Sequence, residues 1–333
     1  MKKKRIAING FGRIGRAVAR IILQHHSDHI QLVAINDPSD AASSIHLFQF
    51  DTNWGRYTGK CAFLEKESAF SIDDHIVKYF STKEITALPW KELDIDVVIE
   101  STGKFVSKED CELHLKQGAK KVLLSSPPKT DGFKTIVIGV NDETLTEEDL
   151  LVSCASCTTN CLGPITKVIN DHFQIETAFM TTVHSYTNDQ RILDVGHRDL
   201  RRARAAALNI IPTSTGAAKA IGKIIPSLDK KMNGISIRVP TPTVSLVDLV
   251  AKVSKKTTVE EVNATLKKAS DTMPMILGYE ERPLVSMDYK LDSRSSIVDA
   301  KETMVINDLV KVFSWYDNEW GYSNRMVDLV QKM

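Results

Sequence analysis

Three shortages bound what this chain can be. Cysteine is sparse and odd in number, five in 333 residues. An odd count without a secretory context argues against a disulfide framework and for a reducing compartment. No window approaches the ~20 consecutive apolar residues of a membrane span. The basic opening Met1-Lys2-Lys3-Lys4-Arg5 lacks the long apolar run that a signal peptide needs. Net charge is almost absent, +1 overall, which excludes a global field for nucleic acid or membrane surfaces. Repeats and low-complexity tracts are missing too. The expectation is a cytoplasmic protein with no membrane and no nucleic acid as primary partner. Its 42% hydrophobic and 26% charged residues are ordinary for a globular enzyme. Its length exceeds the typical ~100–200 residues of one domain, so two domains are expected.

The first half alternates short apolar runs with helical ones. Arg5-Ile6-Ala7-Ile8-Asn9 reads as a strand, followed by Gly10-Phe11-Gly12-Arg13-Ile14-Gly15 and an amphipathic helix carrying Ala17, Val18, Ile21 and Ile22. A second strand, Leu32 to Ile35, ends at Asn36-Asp37. In this context GxGxxG is informative. The first glycine permits a tight turn, the second lets a pyrophosphate approach the backbone, and the third lets helix and strand pack closely. Asp37 lies 22 residues beyond Gly15, near the spacing expected of a carboxylate on the adenosine ribose. Further strands at Asp96–Glu100, Lys121–Ser125, Thr135–Gly139 and Leu151-Val152, with a helix over Glu109–Lys116, imply an α/β fold. Its parallel sheet is covered on both faces in the doubly wound (Rossmann) manner. Ser101-Thr102-Gly103 and Ser125-Ser126-Pro127 fall at strand carboxyl ends, where such sheets hold ligands or simply turn.

The central stretch is Ser153-Cys154-Ala155-Ser156-Cys157-Thr158-Thr159-Asn160-Cys161. A strand-like run leads in, and a helix with Leu162, Ile165, Val168 and Ile169 on one side leads out. A cysteine at a helix start meets unpaired amides and the positive dipole end, so its pKa is expected below ~8.5. Cys157 is the candidate nucleophile. A metal or iron–sulfur site would need a fourth ligand that the chain does not supply at such spacing, and quiet packing of three small thiols is the plain alternative.

Beyond it the pattern becomes extended: Thr177–Tyr186, Ile235–Val239, Thr243–Val253 and Leu309–Tyr316, with one clear helix near Val259–Ser270. This suggests an α+β domain on a mainly antiparallel sheet. The expected division is residues 1–156 for a dinucleotide domain and 157–317 for a catalytic domain. A C-terminal helix, 318–333, rejoins the first. His184 lies 27 residues after Cys157, on another element, and a thiol with a nearby imidazole is a minimal activated nucleophile. Arg191, Arg198, Arg201, Arg202 and Arg204 read as either a solvated loop or an anion-binding lining. Pro212 to Lys219 and Arg238 are two further anion candidates.

Five segments together resemble phosphorylating glyceraldehyde-3-phosphate dehydrogenase: Ile8–Arg16, Ala155–Cys161, His184–Thr187, Thr215–Lys219 and Trp315–Ser323. The likeness runs end to end. It implies that Cys157 captures the aldehyde of glyceraldehyde 3-phosphate as a hemithioacetal and that His184 acts as general base. A thioester follows, which inorganic phosphate attacks. By the same likeness Ser156, Thr158, Thr215 and Gly216 hold the attacking phosphate, with Arg202 shared, while Thr187 and Arg238 hold the substrate's own. Gly10, Gly12, Arg13, Ile14, Gly15, Asp37, Lys83, Ser125 and Asn318 are implied to bind NAD. Metal ligands are not implied, and the expected assembly is a homotetramer.

Some positions depart from the family pattern. Cys154 stands where asparagine is usual, Lys83 roughly where arginine is frequent, and Asn53-Trp54-Gly55-Arg56 replaces a histidine-bearing form. Val195-Gly196 stands where NAD-selective members often carry Leu-Pro, which leaves some NADP use open although Asp37 should repel a 2′-phosphate. The close alternative is erythrose-4-phosphate dehydrogenase, which hydrolyses its thioester. A nucleotide- or RNA-binding protein with a vestigial site is the reading from another class, and intact Cys157 and His184 speak against it.

Overall fold

In the computed structural model, which describes residues 2–333, the chain forms two compact units. The first comprises the chain to Ile136 with 143–155 and 323–333; the second comprises 137–142 and 156–322. The expected boundary after residue 156 therefore falls after Ala155, and the C-terminal return begins at Ser323 rather than 318.

The first unit is built on strands β1 (Lys4–Asn9), β2 (Ile30–Asn36), β3 (Cys61–Leu64), β4 (Ala69–Ile72), β5 (His75–Phe80), β6 (Val97–Glu100), β7 (Lys121–Leu124), β8 (Lys134–Thr135) and β9 (Leu151–Ser153). They form one sheet in the order β3-β4-β5-β2-β1-β6-β7-β9-β8. The stretch from β5 to β8 is parallel, and β3 and β4 add an antiparallel edge. Ile6, Ala7 and Ile8 of β1 are all fully enclosed, as a strand covered on both faces requires. Helices α1 (Arg13–Ile21), α2 (Ala41–Gln49) and α3 (Lys108–Lys116) belong to this unit. Asp40 and Ser107 cap α2 and α3, each side chain accepting from a backbone N–H three residues on.

Several elements differ from expectation here, among them strand β5 and helix α2, which were not expected. The strand expected over Thr135–Gly139 stops after Thr135, because the chain turns: Asn141 Oδ1 accepts the Val137 N–H at 2.8 Å and Gly139 adopts φ +80°. The antiparallel edge β3–β4 was not expected.

The second unit holds β10 (Ile175–Ser185), β11 (Ile211–Ser214), β12 (Met232–Val239), β13 (Ser245–Val253), β14 (Leu277–Glu280), β15 (Ser296–Ile306) and β16 (Leu309–Tyr316). Their order is β11-β12-β10-β13-β16-β15-β14, mainly antiparallel, with parallel pairs at β10–β12 and β14–β15. Helices α4 (Cys157–Phe173), α5 (Ala217–Ile224) and α6 (Val259–Thr272) pack on this sheet or each other. Leu162, Ile165 and Ile169 of α4 are fully enclosed, as their helical spacing requires. A last helix, α7 (Trp320–Lys332), returns the chain to the first unit, where Lys121 Nζ donates to the Met333 carbonyl at 2.8 Å.

Candidate active site

In the first unit the glycine turn has the shape its sequence predicts. Gly10 takes φ +95°, and a Cβ there would stand 2.5 Å from the Thr102 nitrogen. A Cβ on Gly15 would collide with the Gly10 carbonyl oxygen. At Gly12 a Cβ would meet nothing within 4 Å, so this backbone is open to close approach by a ligand. Gly12 caps α1 with no side-chain hydrogen bond, as at helix starts that bind phosphate. Beside the turn lies a cavity of about 320 Å³, lined in part by Gly10, Gly12, Asp37 and Lys83. The Asp37 carboxylate, at the end of β2, accepts from the Phe11 N–H at 2.8 Å and the Ser39 N–H at 2.9 Å. These groups fit a dinucleotide: a glycine cradle for phosphates and a fixed carboxylate at its far end.

The other expected cofactor residues are placed differently. Ser125 donates its N–H to the Glu100 backbone carbonyl at the strand carboxyl ends and does not line this cavity. The Arg13 guanidinium pairs with Asp51 and stacks 3.9 Å over the Trp54 ring, so its side chain is already engaged within the protein. That contact also gives the departure at Trp54 a physical role, that of covering the ion pair. Asn318 sits in the second unit, where its Oδ1 accepts from Ser185 Oγ at 2.9 Å and Ser245 Oγ at 3.3 Å. Those two bonds orient the amide so that Nδ2 faces away as a donor.

In the second unit Cys157 is the first residue of α4. Ser156 caps the helix, its Oγ accepting the Thr159 N–H at 3.1 Å, and Ala155 before it takes φ +55°. His184 reaches the same place from β10, with Nε2 3.5 Å from Cys157 Sγ. Its Nδ1 lies 2.7 Å from the Ser185 carbonyl oxygen, which can only accept. Arg238 Nη1 also comes within 3.1 Å of Nδ1, but the shorter contact, to an oxygen that can only accept, assigns the proton to Nδ1 and leaves the Nε2 lone pair facing the thiol.

Arg238 stands beside His184 because the two are register partners on β12 and β10. Its Nη1 also donates to the Ser185 carbonyl at 3.2 Å and toward Thr187 Oγ1 at 3.5 Å, while its buried Nε has no protein partner. Gln190, bonded to Thr187 through main-chain and side-chain contacts, likewise buries an unpartnered Nε2. Two orphaned donors beside one hydroxyl are what an anion would satisfy. Nothing in the sequence singled out Gln190.

The electrostatics correct one expectation. Burial pushes the Cys157 thiol up, not down, against the opposing pull of the Arg238 charge and the Thr158 hydroxyl and N–H. The residue as a whole stays partly exposed, so the penalty reflects crowding of the thiol itself by protein atoms. Burial, then Arg238 and Arg202, push His184 down to about 3. Both shifts favour neutral thiol beside neutral imidazole over a standing thiolate.

Of the five loop arginines, Arg202 alone acts on this cluster. It pairs with Asp189 and donates from Nε to Thr213 Oγ1 at 2.9 Å and from Nη2 to the Ser214 carbonyl at 3.1 Å. Arg191 and Arg201 bond to carbonyls of Gly196 and Pro212, and Arg204 pairs with Asp194. Thr158 Oγ1 lies 2.9 Å from Tyr316 OH, which also contacts Thr182 Oγ1 at 2.9 Å. Thr215 and Gly216 stand at the start of α5, where Thr215 Oγ1 accepts the Ala217 N–H at 3.2 Å. Cys161 is fully enclosed, contacts the Ser314 carbonyl at 3.6 Å, and has its thiol pushed up to about 12 by burial. Cys154 is also buried.

A fold with a dinucleotide cradle in one unit and a thiol aligned on an imidazole in the other places the protein among the nicotinamide-dependent oxidoreductases. Within that class, the chain belongs to the glyceraldehyde 3-phosphate dehydrogenase family. Residues 4–108 match that family's "NAD binding domain" and residues 156–318 its "C-terminal domain". Similar proteins include "Glyceraldehyde-3-phosphate dehydrogenase 2" of Trichormus variabilis, 53% identical over 330 residues covering 98% of this chain and 97% of the relative. "Glyceraldehyde-3-phosphate dehydrogenase" of Borreliella burgdorferi is 53% identical over 338 residues, 99% of each chain. A chloroplastic form A from Chlamydomonas reinhardtii is 50% identical over 332 residues, 99% of this chain and 88% of its own.

Proposed function

We propose that the protein oxidises D-glyceraldehyde 3-phosphate to 1,3-bisphosphoglycerate, with NAD and inorganic phosphate as co-substrates. The observation that carries this reading is the 3.5 Å approach of His184 Nε2, in its acceptor tautomer, to Cys157 Sγ.

Cys157 sulfur attacks the aldehyde carbon while His184 Nε2 takes the thiol proton and passes it to the carbonyl oxygen, giving a hemithioacetal and a neutral imidazole again. The nucleophile is thus made at the moment of attack, since burial disfavours a standing thiolate. His184 then removes the proton from the hemithioacetal hydroxyl. NAD, when bound, supplies the hydride acceptor. An acyl group remains on Cys157 as a thioester. Inorganic phosphate attacks its carbon and the C–S bond breaks, the acyl phosphate leaves, and the sulfur takes back a proton from His184.

Arg238 Nε and Thr187 hold the substrate's phosphate, the orphaned donor gaining the acceptor it lacks. Ser156, Thr158, Thr215 and Gly216 receive the attacking phosphate, with Arg202 between the two. Gly10, Gly12 and Gly15, with Arg13 and Ile14 at the start of α1, seat the dinucleotide phosphates. Asp37 and Lys83 take the adenosine end, and Ser125 and Asn318 complete the set. Asp37 favours NAD over NADP, and comparing turnover with each measures how strictly.

The relatives' names favour this reading over erythrose-4-phosphate dehydrogenase. Measuring turnover of both aldehydes with and without phosphate separates the two: phosphate-independent oxidation favouring the four-carbon sugar would overturn the proposal. A homotetramer is supported by large apolar side chains left in solvent on the second unit, among them Phe179 at 68%, Ile192 at 85% and Leu200 at 81% exposed. Native mass spectrometry reads the assembly directly. A cytoplasmic location fits five free thiols. No helix among the described residues is long and apolar enough to cross a membrane.

A further inference from the structure

The floor of the dinucleotide cavity is tied together by a belt of side chains at the carboxyl ends of four neighbouring parallel strands. Thr82, just after β5, donates its N–H to Asn36 Oδ1 at 3.1 Å. Asn36, ending β2, donates to Asn9 Oδ1 at 2.7 Å. Asn9, ending β1, donates to Glu100 Oε2 at 2.5 Å, and Glu100 ends β6. Register makes this chain: Asn9 is the partner of both Asn36 and Glu100 across the sheet. The other oxygen of Glu100 accepts the Thr102 N–H at 2.8 Å and the Thr102 hydroxyl. Asn9, Asn36, Thr82 and Thr102 all line the cavity.

Two residues outside the cavity lining hold the belt's end. His114 of α3 places Nε2 3.2 Å from Glu100 Oε2, and the Trp90 indole N–H donates to His114 Nδ1 at 2.9 Å. Since Nδ1 receives a proton donor, Nε2 carries the ring hydrogen and donates to Glu100. Trp90, His114 and Glu100 are each fully enclosed, and none of their polar atoms is left without a partner. Among the described residues no lysine or arginine bonds to the Glu100 carboxylate; its acceptors are satisfied by Asn9, Thr102 and His114. The expense of burying such a set is borne only if every member stays in place, so geometry passes from one end to the other.

We propose that Trp90 and His114 are positioning residues for the dinucleotide. Through the single tautomer that Trp90 imposes, His114 holds Glu100, which fixes Asn9 and the Thr102 turn against which Gly10 is packed. Losing the His114 N–H leaves Glu100 Oε2 short of a donor in a dry interior, which frees Asn9 and Thr102 to shift. The cavity then no longer meets the ligand preformed. This inference rests on the reading of the cavity as the NAD site.

The test measures NAD affinity by isothermal titration on the wild type, His114→Leu, His114→Gln and Trp90→Phe, with melting temperature alongside. Gln keeps an N–H that reaches Glu100; Leu does not. Expected are an increase in Kd of about tenfold or more for His114→Leu, at least about threefold for Trp90→Phe, and recovery toward wild type for His114→Gln. The Michaelis constant for NAD should rise with kcat at saturating NAD retained. A structural role alone would lower the melting temperature and leave the Kd of the folded variants within about threefold, and that result overturns the proposal. Should His114→Leu fail to fold, Trp90→Phe decides by the same threshold. Failure of the wild type to bind NAD would refute the cavity assignment instead, so the two failures are distinguishable.

Discussion

Replacing His184 by asparagine removes the nitrogen that stands 3.5 Å from the Cys157 sulfur, yet keeps a short amide that can donate to the Ser185 carbonyl. The backbone of β10 and its pairing with β12 need not change. What changes is the destination of the thiol proton. An ordinary thiol, with a pKa of ~8.5, is only about 3% thiolate at pH 7. Burial keeps Cys157 below that fraction. Loss of a positioned base costs roughly 10²–10⁴ in rate, so kcat at pH 7 should fall by that factor. Substrate binding should weaken far less, because Arg238 and Thr187 remain. The assay is steady-state NADH formation together with iodoacetamide alkylation of Cys157 between pH 5 and 10. In the variant, alkylation should climb with pH without an early plateau, since hydroxide alone now removes the proton. A variant that retains more than about a tenth of wild-type turnover, with an unchanged pH profile, would refute the role given to His184.

Three further perturbations follow from the geometry. Gly10→Ala places a Cβ 2.5 Å from the Thr102 nitrogen at φ +95°, so the protein should lose NAD binding by titration and melt earlier, while Cys157 alkylation is retained. Arg238→Leu removes a hydrogen-bonding charge of about 1.5–3 kcal/mol, so kcat/KM for the aldehyde should fall roughly 10- to 100-fold. The Cys157 alkylation profile should also move to higher pH, because that charge lowers the thiol pKa. Acid stability is the third. The unfolded chain protonates His184 below ~6.5, whereas burial delays this to about 3 in the folded protein. The unfolded state binds more protons across that window, so stability is complete above ~6.5, falls by about 1.4 kcal/mol per pH unit as pH drops through the window, and levels off below about pH 3. Urea midpoints at pH 7, 6 and 5 should fall less steeply in His184→Asn than in the wild type.

The parts legible in the sequence were those with a strict local geometry. GxGxxG between strand and helix could fold in few ways, and Gly10, Gly12 and Asp37 meet around one cavity. The long alternating runs of β10, β13 and β16 read directly because one face of each is buried. β15 escaped notice because Asp299, Lys301 and Glu302 interrupt its pattern where its register with β16 shifts. The β3–β4 edge is short and only partly buried at β3, so it leaves little pattern to read. At the site, the position of Cys157 at a helix start was legible, but the sign of its pKa shift was not. That sign depends on how closely the folded chain buries the sulfur. The tautomer of His184 depends on the Ser185 carbonyl, a backbone atom that no residue pattern announces.

The central claim is that one sulfur carries the acyl group between oxidation and phosphorylation. Mixing the protein with glyceraldehyde 3-phosphate and NAD in phosphate-free buffer, quenching in acid and mapping peptides by mass spectrometry tests it directly. The account predicts a phosphoglyceroyl adduct on Cys157 alone, discharged when phosphate is added before the quench. NADH formed with no adduct at Cys157, or with the acyl group on Cys154 or Cys161, would contradict it.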